Sequence, residues 1–285
     1  MSRSSNPGSV LVTGASKGIG EACALRLDGL GWRVFAGVRR TEDGAALREK
    51  SSERLEPLML DVTSGEQVAA AGQRVDEACG EAGLTAVVNN AGIAIAGPLE
   101  FLPVEELRRQ LEVNVVGQVA VTQAVLPALR RARGRIIFVG SIAGRSAMPF
   151  TGAYSASKFA LEAVTDSLRL ELRPWDMHVA IVEPGVISTP IWETSAARAE
   201  ANLARMPEEA ERYYGRPLEA LRRRARLGIE GLPASQVAEV VEHALTSRRP
   251  RTRYVVGSDA ELRRFLETLP DRLRDYIIAG RLKKL

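Results

Sequence analysis

The sequence predicts an α/β chain: a single domain on a doubly wound parallel sheet of about seven strands, flanked by helices. Three observations predict it. Short runs of branched apolar residues recur at Val10–Val12, Arg33–Val38, Ala86–Val88, Arg135–Val139 and His178–Val182. Helical patterns separate them, which implies right-handed strand–helix–strand crossovers and a parallel sheet. No linker and no internal repeat divides the 285 residues, a length that one large α/β domain fills.

The first strand enters Thr13-Gly14-Ala15-Ser16-Lys17-Gly18-Ile19-Gly20, and a helical pattern runs on from Glu21 to Leu30. A strand, a glycine-rich turn and a helix place a phosphate at the helix N-terminus. Glycine is needed there because a Cβ would block the pyrophosphate. The spacing is Gly-x-x-x-Gly-x-Gly, not the commoner Gly-x-Gly-x-x-Gly, and such a turn alone is equally compatible with a loop that binds nothing. The second strand, Arg33–Val38, ends in Arg39-Arg40. In dinucleotide-binding units a carboxylate about twenty residues past the glycines holds the ribose hydroxyls, whereas an arginine accommodates a 2′-phosphate. Val38 and Arg39 occupy that strand end without a carboxylate, and Lys17 adds a second positive charge. The expected cofactor is therefore NADP(H); two solvated surface arginines are the bland alternative.

Leu58–Leu60 reads as the third strand and runs into Asp61-Val62-Thr63, followed by an amphipathic helix over about 66–81. The fourth strand runs into Asn89-Asn90-Ala91-Gly92, at the carboxyl end of the sheet, where ligands bind in such folds. Pro103–Leu129 is mostly helical and contains Asn114 in a valine-rich stretch, so its amide must find partners. The fifth strand leads to Ser141, and a helix follows over Ala153–Leu172. The sixth strand ends in Pro184-Gly185-Val186-Ile187-Ser188-Thr189. Residues 190–233 are rich in Ala, Glu and Arg and are interrupted by Pro207, Pro217 and Pro233. They are expected to form an enlarged helical lid over the substrate crevice, with Trp192 among its substrate contacts. A helix over Ser235–Thr246, a last strand over Arg253–Val256 and a basic helical tail over 259–285 complete the chain.

Composition excludes several classes. With 39 basic and 35 acidic residues interleaved, nothing points to a nucleic-acid partner. Cys23 and Cys79 lie in helical patterns, and His178 and His243 are too scattered for a metal cluster. The first residues have no apolar core of a signal peptide, and no apolar run reaches the length of a membrane span. A soluble, cytoplasmic protein without a metal is the expectation.

The chemistry is concentrated between Ser141 and Lys158. Tyr154 and Lys158 are four residues apart and stack on one helix face. A lysine ammonium beside a phenol favours the phenolate, which makes a general acid or base working near neutral pH. Ser141 supplies a second hydroxyl for the same substrate oxygen. Tyr-x-x-x-Lys alone also arises by chance on helices, so the rest of the chain has to decide.

With these pieces placed, the sequence resembles the short-chain dehydrogenase/reductase family, over residues 8–190 and more loosely over 234–258. Thr13–Gly20 is similar to that family's cofactor loop, with Gly14, Ser16, Lys17, Gly18, Ile19 and Gly20 as binding residues. Asp61, with Val62 beside it, is similar to its adenine-contacting acid, and Asn90, Ala91 and Gly92 belong to its strand-four motif. Asn114, Ser141, Tyr154 and Lys158 match its catalytic tetrad. Pro184, Gly185, Ile187 and Thr189 lie in the segment that meets the nicotinamide. Gly140 stands where many members have another serine. The Gly-Val-Arg-Arg and Val-Glu-Pro-Gly segments and the long region after Thr189 look more like the hydroxysteroid and retinol dehydrogenase branch.

The resemblance implies a Rossmann fold and an NADP(H)-dependent interconversion of an alcohol and a carbonyl. In it Tyr154 exchanges the proton, Ser141 holds the substrate oxygen, Lys158 lowers the tyrosine pKa and binds the nicotinamide ribose, and Asn114 holds a water. A catalytically silent NADP(H)-binding sensor on the same fold is the rival reading, and the intact tetrad favours the enzyme. Apolar residues at 142–150, Met148 among them, suggest a hydrophobic carbonyl or alcohol substrate. The two long helices over 103–129 and 153–172 carry apolar residues on several faces, so a homodimer or homotetramer is expected.

Overall fold

The computed structural model describes residues 7–282 apart from 192–194, 196, 197, 199, 203–205 and 227–230; the side chains of 217, 218, 220–226, 281 and 282 are also outside the description. Trp192 and parts of the expected lid lie outside the described residues.

Seven strands form one parallel sheet. They are β1 (Ser9–Val12), β2 (Arg33–Val38), β3 (Leu55–Met59), β4 (Ala86–Asn89), β5 (Arg135–Val139), β6 (His178–Pro184) and β9 (Arg253–Val256), in the spatial order β3-β2-β1-β4-β5-β6-β9. Every pairing is parallel. The order reverses direction between β1 and β4, which opens a crevice beyond their carboxyl ends. A separate ladder joins β7 (Ile187–Ser188) to β8 (Leu232–Pro233).

The central strands are buried on both faces and so read as continuous apolar runs. On one face α1 (Gly18–Gly29) and a helix over Ala234–Thr246 pack Cys23, Leu27, Val237 and Val241 against Val10, Val12, Ile137 and Val182. On the other, α3 (Gly65–Cys79), α5 (Gly117–Ala132) and α6 (Gly152–Glu171) cover Leu11, Phe35, Val87, Phe138 and Ile181. This is the doubly wound, single-domain architecture that the sequence predicts.

Three segments differ from the sequence reading. The third strand is Leu55–Met59, not Leu58–Leu60, and includes Pro57 opposite Ala36. An edge strand needs no amide donor on its open side, so proline is tolerated there and its half-exposed residues show no clean apolar run. A further helix, α2 (Thr41–Glu49), escapes detection because it buries only Gly44 and Leu47. The long pattern over 103–129 divides into α4 (Val104–Leu111), a π turn over Glu112–Val116 and α5. The C-terminal residues form a helix over Ser258–Leu266 and another over Asp271–Leu282, broken at Pro270. No helix among the described residues is long and apolar enough to cross a membrane.

Phe35 is among the largest fully buried side chains. Phe35→Ala is expected to cost about 3–5 kcal/mol of stability, read from the urea midpoint at unchanged slope.

Candidate active site

The glycine loop joins β1 to α1 and is held from behind by the β4 motif. Thr13 Oγ1 accepts from the amides of Asn90 and Ala91, each at 2.9 Å. Asn90 Nδ2 donates to the carbonyls of Thr13 at 2.9 Å and Gly14 at 3.2 Å. Gly14 has φ +64°, and a Cβ there would lie 2.9 Å from Ala91 Cα. A Cβ on Gly20 would meet the Gly14 carbonyl and the Asn90 amide. The chain is thus folded too tightly for side chains, and it presents the α1 N-terminus to an open crevice of about 570 Å³.

That crevice gathers most of the sequence-predicted residues. Gly14, Ser16, Lys17, Gly18 and Ile19 line one end, with Arg39, Asp61 and Val62; Asn90, Ala91 and Gly92 form a wall. Ser141, Tyr154, Lys158, Pro184, Gly185, Ile187 and Thr189 close the other end. Gly20 and Asn114 stand just behind the lining, the one against Gly14 and the other against Ile93.

At the strand-two end the two arginines have different roles. Arg40 forms a two-point pair with Asp43, at 2.8 and 3.0 Å, while Arg39 lines the crevice. Asp43, which the sequence reading overlooked, brings a carboxylate close to Lys17 and Arg39. The Arg40 bond holds its carboxyl below the usual range, with Arg40, Lys17 and Arg39 adding charge in the same direction against burial. Asp61 Oδ1 accepts from the Thr63 amide at 2.9 Å and hydroxyl at 2.7 Å. Burial acts against ionisation of Asp61, but those bonds, with Arg39 and Arg109, hold its pKa below normal. Arg109, from α4, also lines the crevice. It precedes Val113, another lining residue, by one helical turn, and that spacing is the signal that could have revealed it.

Asn114 is fully buried in the π turn. Its Oδ1 accepts from Ile93 N at 2.9 Å, and its Nδ2 donates to Ile93 O at 3.0 Å and Ser157 Oγ at 3.1 Å. Gln110 and Gln118, one turn to either side, donate to Ile93 O at 2.8 Å and Ala91 O at 2.7 Å.

Ser141 begins just beyond β5 with extended backbone, and its Oγ accepts from Ala143 N at 3.1 Å. Its hydroxyl donates to Pro184 O at 3.4 Å. Burial pushes the Tyr154 phenol pKa above its usual value; the nearby Ser141 hydroxyl and Arg263 guanidinium pull it back. Lys158 is buried, and its Nζ donates to Val139 O at 2.8 Å while lying 5.7 Å from the Tyr154 ring centroid. The ammonium therefore rests on the strand end and over the ring, not on the phenol oxygen. Burial lowers its pKa from 10.5 to about 8, with Glu162 opposing. Arg263, read from the sequence only as part of a basic tail, donates to the Ser146 carbonyl and belongs to this neighbourhood.

The substrate residues divide. Ser141 and Tyr154 share the crevice with the apolar Ile93, Ala94 and Ile191. Met148 instead lines an adjoining cavity of about 820 Å³, with Leu99, Phe150 and Tyr214. Described parts of residues 190–233 are fastened over these spaces. Arg198 forms a two-point pair with Glu106 at 2.6 and 3.1 Å, and Tyr214, on the helix Glu208–Arg226, donates to Glu100 at 2.8 Å.

The fold and the crevice define a dinucleotide-binding α/β domain, with a buried lysine and a hydroxyl pair at the carboxyl edge of its sheet. A family model described as short chain dehydrogenase matches residues 9–200, and the chain belongs to that family of oxidoreductases. It is 39% identical over 260 residues to retinol dehydrogenase 5 of Mus musculus, covering 89% of this chain and 81% of that one. It is 40% identical over 276 residues to 17-beta-hydroxysteroid dehydrogenase type 6 of Homo sapiens, covering 94% and 87%. A solved short chain dehydrogenase from Burkholderia cenocepacia J2315, in complex with NADP, superposes with TM-score 0.73 at 28% identity, covering 96% of this chain and 97% of that one. The relatives lie in the retinol and hydroxysteroid branch that the sequence segments suggested.

A lysine whose folded pKa lies near 8 instead of 10.5 binds fewer protons folded than unfolded across that interval. Stability then rises with pH between those values, because the unfolded chain still holds a proton that the native state has already released. Lys158→Met is expected to be more stable than wild type at pH 7. The gain should shrink as the pH climbs from about 8 toward 10.5, as read from urea midpoints.

Proposed function

We propose that this protein is an NADP(H)-dependent oxidoreductase that interconverts an alcohol, a secondary one in our reading, and a carbonyl on a hydrophobic small molecule, with Tyr154 as general acid and base. The observation that carries the reading is the convergence of Ser141, Tyr154 and Lys158 with the glycine loop in one crevice. The glycine cradle, the exposed α1 N-terminus and the Arg39–Lys17 end fit a dinucleotide, and the relative in complex with NADP supports that cofactor. The names of the retinol and hydroxysteroid relatives, with Ile93, Ala94 and Ile191 at the crevice, support an apolar substrate.

The bound nicotinamide supplies or takes the hydride. The chain's own residues handle the proton and the substrate oxygen. Ser141 hydrogen-bonds the oxygen and keeps it within reach of the phenol. Tyr154 gives its proton to that oxygen in reduction and takes it back in oxidation. Its pKa, raised by burial, suits the acid role, and a cation above the ring favours the base. Lys158, anchored on Val139, provides that cation and is available to a ribose hydroxyl. Asn114 holds Ile93 and Ser157 in place beside it.

The reading includes a cytoplasmic protein, supported by Cys23 and Cys79 being unpaired. It also includes a homodimer or homotetramer, supported by the exposure of Val104 on α4, Val116 in the π turn, and Phe159 and Leu170 on α6. Light scattering at micromolar concentration should give a multiple of 30.9 kDa; the monomer mass alone would refute the assembly.

Tyr154→Phe removes the proton and leaves the ring. Turnover is expected to fall more than about a hundredfold while NADPH still binds, measured by NADPH fluorescence beside steady-state rates. Near-wild-type kcat in this variant would overturn the assignment.

The cofactor preference follows from charge at the strand-two end. A 2′-phosphate carries nearly two negative charges, and Arg39 offers a planar fork with Lys17 beside it. Each charge-assisted bond contributes about 1.5–3 kcal/mol, so the pair favours NADPH by a factor on the order of 100. Asp43 is neutralised by Arg40 and does not cancel this. Val38→Asp combined with Arg39→Ala is expected to reverse the order of kcat/KM for NADPH and NADH. Equal loss for both cofactors at Arg39 would refute the clamp.

A further inference from the structure

We infer that Glu162 and Glu183 share a single proton and together set the charge on Lys158, which makes them positioning residues for the reaction; this rests on the function proposed above. Glu162 follows Lys158 by four residues on α6, so the two side chains leave one face a turn apart. Glu183 lies in β6 and is fully buried. Its Oε1 accepts from Arg145 Nε at 2.6 Å, and Arg253 Nε approaches it at 3.7 Å. Glu162 Oε2 accepts from Arg253 Nε at 3.1 Å. The remaining oxygens, Glu162 Oε1 and Glu183 Oε2, are buried without a partner. Both carboxylates meet the same nitrogen, Arg253 Nε, at 3.1 and 3.7 Å, which brings the two side chains together around one guanidinium. Ionised carboxylates only accept, so a bond between them needs one proton.

The site is sealed. Ile142, Ala143 and Gly144 are buried over it, and a Cβ on Gly144 would lie 2.9 Å from Lys158 O and 3.4 Å from Glu162 Cγ. The charged groups facing the pair are Arg145 from the loop after β5, Arg253 from β9, and Lys158 from α6. Asp166 takes the far end of Arg253 at 2.7 Å and pairs with Arg169. Burial, with Glu183 acting in the same direction, raises the Glu162 carboxyl to about 7, against Arg253.

Below about pH 7 the pair then carries one negative charge, and above it a second appears beside Lys158. It does so just before the lysine would lose its own proton, near 8. An added carboxylate favours the ammonium. The pair therefore keeps a cation over Tyr154 into the alkaline range, where the phenolate is the base.

Glu162→Gln tests this, because the amide N–H replaces the shared proton and fixes the pair at its low-pH charge. In NMR titrations of the protein carrying carbon-13-labelled lysine, with the Lys158 signal assigned by its loss in Lys158→Met, the midpoint is expected to fall by about one unit in Glu162→Gln. The alkaline limb of kcat for alcohol oxidation is expected to move with it, a loss of about tenfold at pH 9. An unchanged Lys158 midpoint overturns the inference, even in a fully active enzyme. A shifted midpoint in a protein without nicotinamide-coupled turnover refutes the proposed function and leaves the control of the lysine charge standing. If Glu162→Gln does not fold, Glu183→Gln fixes the same charge from the other partner and is judged by the same midpoint.

Discussion

A ladder of buried polar side chains holds the wall of the crevice, and the rest of the site depends on it. Gln110, Asn114, Gln118 and Thr122 recur every four residues, all buried. They bind in turn Ile95 and Ile93, Ile93 and Ser157, Ala91, and Asn89. The segment they hold leaves the sheet at β4 and has no strand partner of its own, so its backbone groups would otherwise be buried unpaired, at about 1–3 kcal/mol each. A period of four drifts around an α-helix of 3.6 residues per turn. The wider π turn at Glu112–Val116 takes up part of that drift and points Asn114 at Ile93.

The ladder also braces the cofactor end. The segment it fixes carries Asn90, whose amide group clamps the carbonyls of Thr13 and Gly14. Glycine at positions 14 and 20 lets the loop come this close. Local sequence chemistry, a shared threonine hydroxyl and a helix two elements away thus converge on one turn of backbone. Bracing of this kind holds the α1 N-terminus facing the crevice, where a phosphate would fit.

Much of this was legible in the sequence because the sheet is parallel and buried. Val10–Val12, Ala86–Val88 and Arg135–Val139 had nowhere else to go, and the motifs follow directly from their carboxyl ends. Legibility failed where burial was partial or where contacts were remote in sequence. The edge strand Leu55–Met59 lacks an apolar run, and α2 buries almost nothing. Asp43 acts on Lys17 and Arg39, and Arg109 lines the crevice, each from a helix whose face a pattern alone does not orient. Tyr154 and Lys158 were found by their spacing, but not the manner of their coupling. The ammonium sits on Val139, and burial raises the phenol pKa instead of lowering it.

The C-terminal segment makes the same point from the other side. Its sequence is basic, helical and exposed over much of its surface, which reads as a solvated tail. Yet Asp259 accepts from Val186 N at 2.8 Å, in the turn that carries Pro184, Gly185 and Ile187. A Cβ on Gly185 would collide with that carboxylate, so the turn and the helix over Ser258–Leu266 fit only together. One turn further on, Arg263 reaches the Ser146 carbonyl and stabilises the ionised form of Tyr154. The helix over Ser258–Leu266 is therefore part of the floor under Tyr154 and the turn at Gly185. Changes in it should be expected to act on the tyrosine and the cofactor segment before they act on the sheet, because the sheet is already closed by β9.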